Sequence, residues 1–144
     1  DVVQDLLEEE RLEENLKAAD QRYKDIPRIE KKIRKQFTYS NGKYCIRPAK
    51  TNREIVKEGQ QMHICVGNGS YAGQMEKGRT YILFLRKKED PDTPFYTVEI
   101  TPEFKILQRH GKYNKEGSEV TEVDSFLKEF VEVKGNGKKY HAAG

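Results

Sequence analysis

Tryptophan is absent from this 144-residue chain; cysteine and methionine occur twice each and histidine three times. Two cysteines cannot build a disulfide scaffold, which excludes a small cross-linked extracellular domain and makes a reducing, cytoplasmic setting the expectation. No apolar run approaches the roughly 20 residues that a membrane-spanning helix needs. The opening Asp1-Val2-Val3-Gln4-Asp5 lacks an initiator Met. It also lacks a basic region followed by an apolar stretch, so it does not read as a signal peptide, and a fragment or trimmed chain is expected. Repeats and low-complexity segments are missing as well. Apolar residues make up 35% of the chain, no more than the charged residues at 35%. Such a chain has a lean core and a large solvated surface, and its length suits one domain with an appendage.

The charge is weakly positive, 27 basic against 24 acidic residues, which by itself does not point to nucleic acid. Its distribution is polarised. Asp1, Asp5, Glu8, Glu9, Glu10, Glu13 and Glu14 crowd the first segment, and Arg22, Lys24, Arg28, Lys31, Lys32, Arg34 and Lys35 crowd the next. Blocks of this kind suit a phosphate-facing surface, head-to-tail helix pairing or, most plainly, a solvated helix face.

Periodicity predicts a helix over 2–25, with Leu12, Leu16, Ala19, Tyr23 and Ile26 in one apolar stripe. Pro27 interrupts, and Asp25 caps a second helix from about Ile26 to Lys35. The stripe must bury against the domain, a second copy or an upstream part of the protein. Phe37 to Ile46 reads as a hairpin around Asn41-Gly42, with positive φ at both turn residues. Thr51 and Glu54 form a capping box for a helix to about Gln61. A glycine-punctuated stretch, Val66–Gly73, leads to a short helix near Gly73–Lys77. Tyr81–Leu85, apolar on both faces, is the expected central strand of a meander with Phe95–Ile100 and Lys105–Arg109. A closing helix spans Glu119–Val131, with Val120, Val123, Phe126, Leu127 and Phe130 inward. The expected class is α+β: an antiparallel meander sheet plus an Asn-Gly hairpin, packed by helices. The expected division is an N-terminal helical arm, 1–35, a domain, 36–134, and a flexible tail, 135–144.

Several residues have chemistry beyond packing. His63 and Cys65 fall on one side of an extended segment, where an imidazolium would favour a nucleophilic thiolate. The plainer alternative is a small buried thiol beside a hydrogen-bonded histidine. A zinc site built from His63, Cys65, His110 and Cys45 lacks any paired-ligand spacing, so no metal or cofactor is expected. Glycine-rich Val66–Gly73 matches no phosphate-loop pattern and reads as a turn. Arg86, Thr97, Glu99, Gln108, Arg109, His110 and Asn114 cluster near strand ends or on one sheet face. Glu99 with Arg86 suggests a cross-strand ion pair, or a general base beside an anion-binding arginine. Arg109, His110, Lys112 and Asn114 suggest a basic edge suited to phosphate contacts.

The same segments resemble the PcfJ-like family of conjugative plasmids, phages and other mobile elements. The resemblance runs from about Phe37 to Phe130. It rests on Glu58-Gly59, His63-Ile64-Cys65-Val66-Gly67, Tyr71, Gly78-Arg79-Thr80, Leu83-Phe84-Leu85-Arg86, Thr97-Val98-Glu99 and Gln108-Arg109-His110-Gly111 with Asn114. The family's usual His-Cys-Val-Gly is interrupted here by Ile64, and Asn68-Gly69-Ser70 precedes Tyr71. The resemblance implies a mobile-element accessory role and brings no assigned reaction with it.

Three functions fit these observations. The first is a nucleic-acid-associated accessory protein of a mobile element. The second is a hydrolase-type enzyme with His63, Cys65, Glu99 and Gln108 as catalytic candidates. Its binding candidates are Arg86, Arg109, His110 and Asn114. The third is a docking domain that binds a protein partner or a second copy through the N-terminal helix. None calls for a membrane.

Overall fold

A computed structural model describes residues 1–64 and 70–136 of the chain. Its elements are α1 (Val2–Gln21), α2 (Ile26–Phe37), β1 (Tyr39–Ser40), β2 (Tyr44–Pro48), α3 (Asn52–Met62), α4 (Ser70–Glu76), β3 (Tyr81–Lys87), β4 (Tyr96–Ile100), β5 (Ile106–His110) and α5 (Val120–Lys134). The class is α+β, as expected. The strands form one sheet in the order β1-β2-β3-β4-β5, with every neighbouring pair antiparallel. The apolar strand β3 is its centre. Helices α3 and α4 fill the connection between β2 and β3, so the chain leaves the sheet, covers one face and returns beside the strand it left.

Alternation along the strands produces two cores. One face offers Tyr44, Ile46, Leu83, Leu85, Tyr96, Val98 and Ile106 to Val123, Phe126, Leu127, Phe130 and Val131 of α5. The other face packs Ile82 and Phe84 under Ile26, Ile29, Ile55, Ala72 and Met75 from α2, α3 and α4. Strand β4, sandwiched by both layers, is buried at all five positions.

The first helix, expected over 2–25, ends at Gln21. Tyr23 adopts a left-handed φ of 54°, which breaks the stripe between α1 and α2. Leu16 and Ala19 bury on the domain, where Asn52 of α3 donates to the Ala19 carbonyl at 3.2 Å and Arg53 pairs with Asp20 at 2.7 Å. Helix α3 therefore covers that part of the stripe, while Val2, Val3, Leu6, Leu7 and Leu12 remain exposed.

Helix α2 runs on through Phe37, a residue expected to open the hairpin. The Phe37 ring is held by Phe104 (stacked, 4.3 Å) and Tyr81 (edge-on, 5.0 Å), so packing extends the helix and shortens β1. Asp25 makes no side-chain capping bond and instead faces Arg28. The Asn-Gly turn also differs from expectation, because neither Asn41 nor Gly42 has positive φ. The Asn41 carboxamide oxygen accepts from the Lys43 and Tyr44 amides, both at 2.9 Å, and this side-chain-closed turn replaces the left-handed one.

Among the described residues, no helix is long and apolar enough to cross a membrane. Leu83, fully buried at the centre of the sheet, should be the most sensitive aliphatic position. Leu83→Ala is expected to cost about 2–5 kcal/mol of unfolding free energy in urea titration.

Candidate functional site

Strand alternation and register gather the polar residues of the meander. Phe84 pairs with Thr97, Ile82 with Glu99, Thr97 with His110, and Glu99 with Gln108. Cross-strand partners share a face, so Arg86, Thr97, Glu99, Gln108 and His110 all lie on the side covered by α3 and α4.

Helix α3 starts at Thr51, whose hydroxyl accepts from the Glu54 amide at 3.1 Å. The Glu54 carboxylate reaches back one residue further than a capping box requires, to the Lys50 amide at 2.7 Å, and also pairs with Arg47. The inward stripe of α3 is Ile55, Glu58, Gly59 and Met62. A carboxylate in that stripe enters an apolar layer and must be paired there. Glu58, only 3% exposed, receives the Arg86 guanidinium at 3.0 and 2.5 Å and the Thr97 hydroxyl at 2.8 Å. Arg86, 8% exposed, also lies over the Phe84 ring.

The expected Arg86–Glu99 pair is therefore corrected. Register sets Glu99 opposite Ile82, two side chains along that face from Arg86. Glu99 instead accepts from the Thr80 hydroxyl at 2.9 Å and is 7% exposed. Both catalytic-type carboxylates of this face are thus buried and hydrogen-bonded. A cleft of about 320 Å³ reaches the Glu58–Arg86 pair past Arg47, Lys57 and Asp92, but His63, Glu99 and Gln108 do not line it.

Beside this pair runs a half-buried polar line. Tyr71 of α4 donates to the Gln108 side-chain oxygen at 3.2 Å, and His110 Nε2 meets the same oxygen at 2.5 Å. Burial pushes the His110 imidazole below its usual range, and the Arg109 charge pushes it the same way.

His63 caps the end of α3 at a left-handed φ of 54° and is exposed. Its ring stacks on Tyr113, with centroids 4.4 Å apart and planes 6° from parallel. Tyr113 sits in a turn that follows β5 after Gly111. A Cβ at Gly111 would lie 2.4 Å from the Lys115 carbonyl, so only glycine admits this close return. The Tyr96 hydroxyl accepts from the Gly117 amide at 3.0 Å and anchors the far side of the turn. Cys65, with Val66–Gly69 of the glycine-rich stretch, lies outside the described residues. Cys45 is half-buried, its thiol facing the Arg86 carbonyl. Among the described residues no group of three His, Cys, Asp or Glu side chains could hold a metal ion.

The expected basic edge is split between two faces. Arg109 points to the α5 side and clasps Asp124 at 2.5 and 3.0 Å, with Glu116 at 3.5 Å. Its neighbour His110 points the other way, and Asn114 is exposed at a left-handed φ of 59°. Sequence reading missed Glu58 as the partner of Arg86, Thr80 as the partner of Glu99, and Tyr113 altogether. A glutamate three residues after Ile55, inside an apolar stripe, is a legible sign of a buried ion pair. The Tyr113 stack carries no local sign, because its partner comes from the other side of the sheet connection.

The sequence model of the family described as PcfJ-like protein matches residues 1–124, so the family relationship extends through both N-terminal helices. An uncharacterized protein of Listeria innocua serovar 6a is 35% identical over 63 residues, which are 44% of this chain and 14% of that protein. The alignment thus spans a small part of its relative's length. No solved structure gives a significant match.

Removing one partner of a buried ion pair strands the other. Glu58→Ala is expected to destabilise by about 3–5 kcal/mol in chemical denaturation. Glu58→Met combined with Arg86→Leu should recover most of that loss. For His110 the folded pKa lies below the unfolded value, so its contribution is present above the unfolded pKa and is lost as pH falls through the folded one. An NMR titration should place His110 below 6.5. His110→Gln should flatten the acid-side fall in stability that accompanies it.

Proposed function

Because this chain belongs to the PcfJ-like protein family, we propose that it serves as a nucleic-acid-associated accessory module of a mobile element, working in a reducing, cytoplasmic compartment. The observation that carries this reading is a surface of uncompensated lysines. Lys32 and Lys35 of α2 and Lys134 at the end of α5, together with Gln36, Val133 and Asn136, line an open concavity of about 350 Å³ that has no carboxylate in its wall.

Several cations elsewhere are neutralised by carboxylates. Arg34 pairs with Glu30, Lys43 with Glu122, Arg47 with Glu54, Arg86 with Glu58, Lys87 with Glu119 and Arg109 with Asp124. The acidic block of α1 does not answer the basic block of α2. Its Glu13, and Asp20 further along α1, go to Arg53 of α3. Among the described residues no ion pair engages Lys31, Lys32, Lys35 or Lys134. Lys35 and Lys134 also oppose the negative ends of their helices, but Lys31 and Lys32 precede the last turn of α2 and have no such role. Ammonium groups joined by amide donors suit phosphate oxygens without reading base sequence.

Fluorescence anisotropy with labelled DNA and RNA oligonucleotides tests the proposal. The logarithm of the affinity should fall linearly with the logarithm of the salt concentration, with a slope of about −0.7 per phosphate contact on single strands. Reversing Lys32, Lys35 and Lys134 to Glu should weaken binding more than tenfold at low salt and flatten the slope by about 2. Absence of binding, or an unchanged slope in the variant, would defeat it.

A further inference from the structure

We infer that the His63–Tyr113 stack is a base-stacking site for unpaired nucleotides in single-stranded DNA or RNA; this inference rests on the nucleic-acid association proposed above. Among the described residues Tyr113 is the one exposed tyrosine or phenylalanine, at 55% exposure, although an aromatic ring of this size ordinarily finds cover. It is held in that position. His63 lies flat against one side of it, 4.4 Å between centroids, and is itself exposed.

The backbone at this place is left-handed at His63 (φ 54°), Tyr113 (φ 59°) and Asn114 (φ 59°). Non-glycine residues visit this region sparingly, and here it presents two flat rings to each other. Gly111 and the Tyr96–Gly117 hydrogen bond fix the turn, so the platform is built before any ligand arrives.

The surroundings suit a nucleic acid strand. The Lys112 ammonium lies over the Tyr113 ring, 5.8 Å from its centroid, and Lys115 is exposed on the same turn. The nearest acid of the turn, Glu116, is drawn to Arg109. Flat π-faces beside lysines accept any base whose own face is free, and only unpaired bases offer that face. The lysine concavity between α2 and α5 gathers phosphate charge without selecting strandedness. The stack would supply the preference for single strands that the lysines lack.

Anisotropy with the full chain tests this, using oligo-dT, oligo-rU, an abasic oligodeoxynucleotide of equal length, and a duplex. The wild type should bind both base-bearing strands about tenfold more tightly than the abasic one. Tyr113→Ala should abolish that difference while leaving duplex binding, the salt slope and the melting temperature unchanged. Tyr113→Phe should retain it. Loss on oligo-rU alone, or on oligo-dT alone, would assign the site to that one nucleic acid. If Tyr113→Ala lowers stability but leaves the base-dependent difference intact, the stack is packing and the inference fails. The inference also fails if the variant binds every oligonucleotide like the wild type. In that case a flattened salt slope in the lysine-reversed variant would leave the nucleic-acid reading standing. If the wild type binds none of them, both fall together.

Discussion

The bidentate pair between Glu58 and Arg86 is the constraint on which the polar half of the molecule depends. It joins the middle of α3 to the end of the central strand and takes in the Thr97 hydroxyl from the next strand. One carboxylate thereby fixes a helix against two strands. Burial makes this demanding, because either charge left alone in that layer would be strongly unfavourable. The pair accordingly sets where α3 can lie, and the end of α3 is where His63 departs toward Tyr113. The exposed stack is positioned by a buried bond it never touches.

The sheet divides labour between its faces. The α5 side is apolar and aromatic at its centre, around Phe126 and Phe130, and its polar contacts sit at the margins, where Arg109 meets Asp124 and the Tyr44 hydroxyl meets Glu122. The α3–α4 side mixes apolar packing with buried hydrogen bonds, Glu58 to Arg86 and Glu99 to Thr80. A buried polar network of this type narrows the ways a layer can pack, since each group accepts only a partnered arrangement. It also holds the Glu58 and Glu99 carboxylates in fixed hydrogen bonds. Among the groups that face solvent are a lysine concavity and a ring stack.

Much of the architecture was legible. Alternation in Tyr96–Ile100 and the double-faced apolar run of Tyr81–Leu85 foretold their places in the sheet, and the spacing of Val123, Phe126, Leu127 and Phe130 foretold the face of α5. Local signals erred where tertiary packing overrode them. Phe37 has strand propensity, yet rings from Phe104 and Tyr81 hold it in a helix. Asn41-Gly42 has the composition of a left-handed turn, yet the Asn41 side chain closes it otherwise.

For the site, residue types were readable and partnerships were not. Arg86, Thr97, Glu99, Gln108 and His110 were recognisable as a polar set on one face, because a period of two is written in the chain. The element types, the two-faced pattern of the strands and membership of the PcfJ-like family rest on short-range periodicity and ordered motifs written in the chain. That Arg86 belongs to Glu58, Arg109 to α5 and His63 to Tyr113 emerges with the folded chain. Those choices depend on strand register and on where α3 docks, and both are set by packing between segments far apart in the chain.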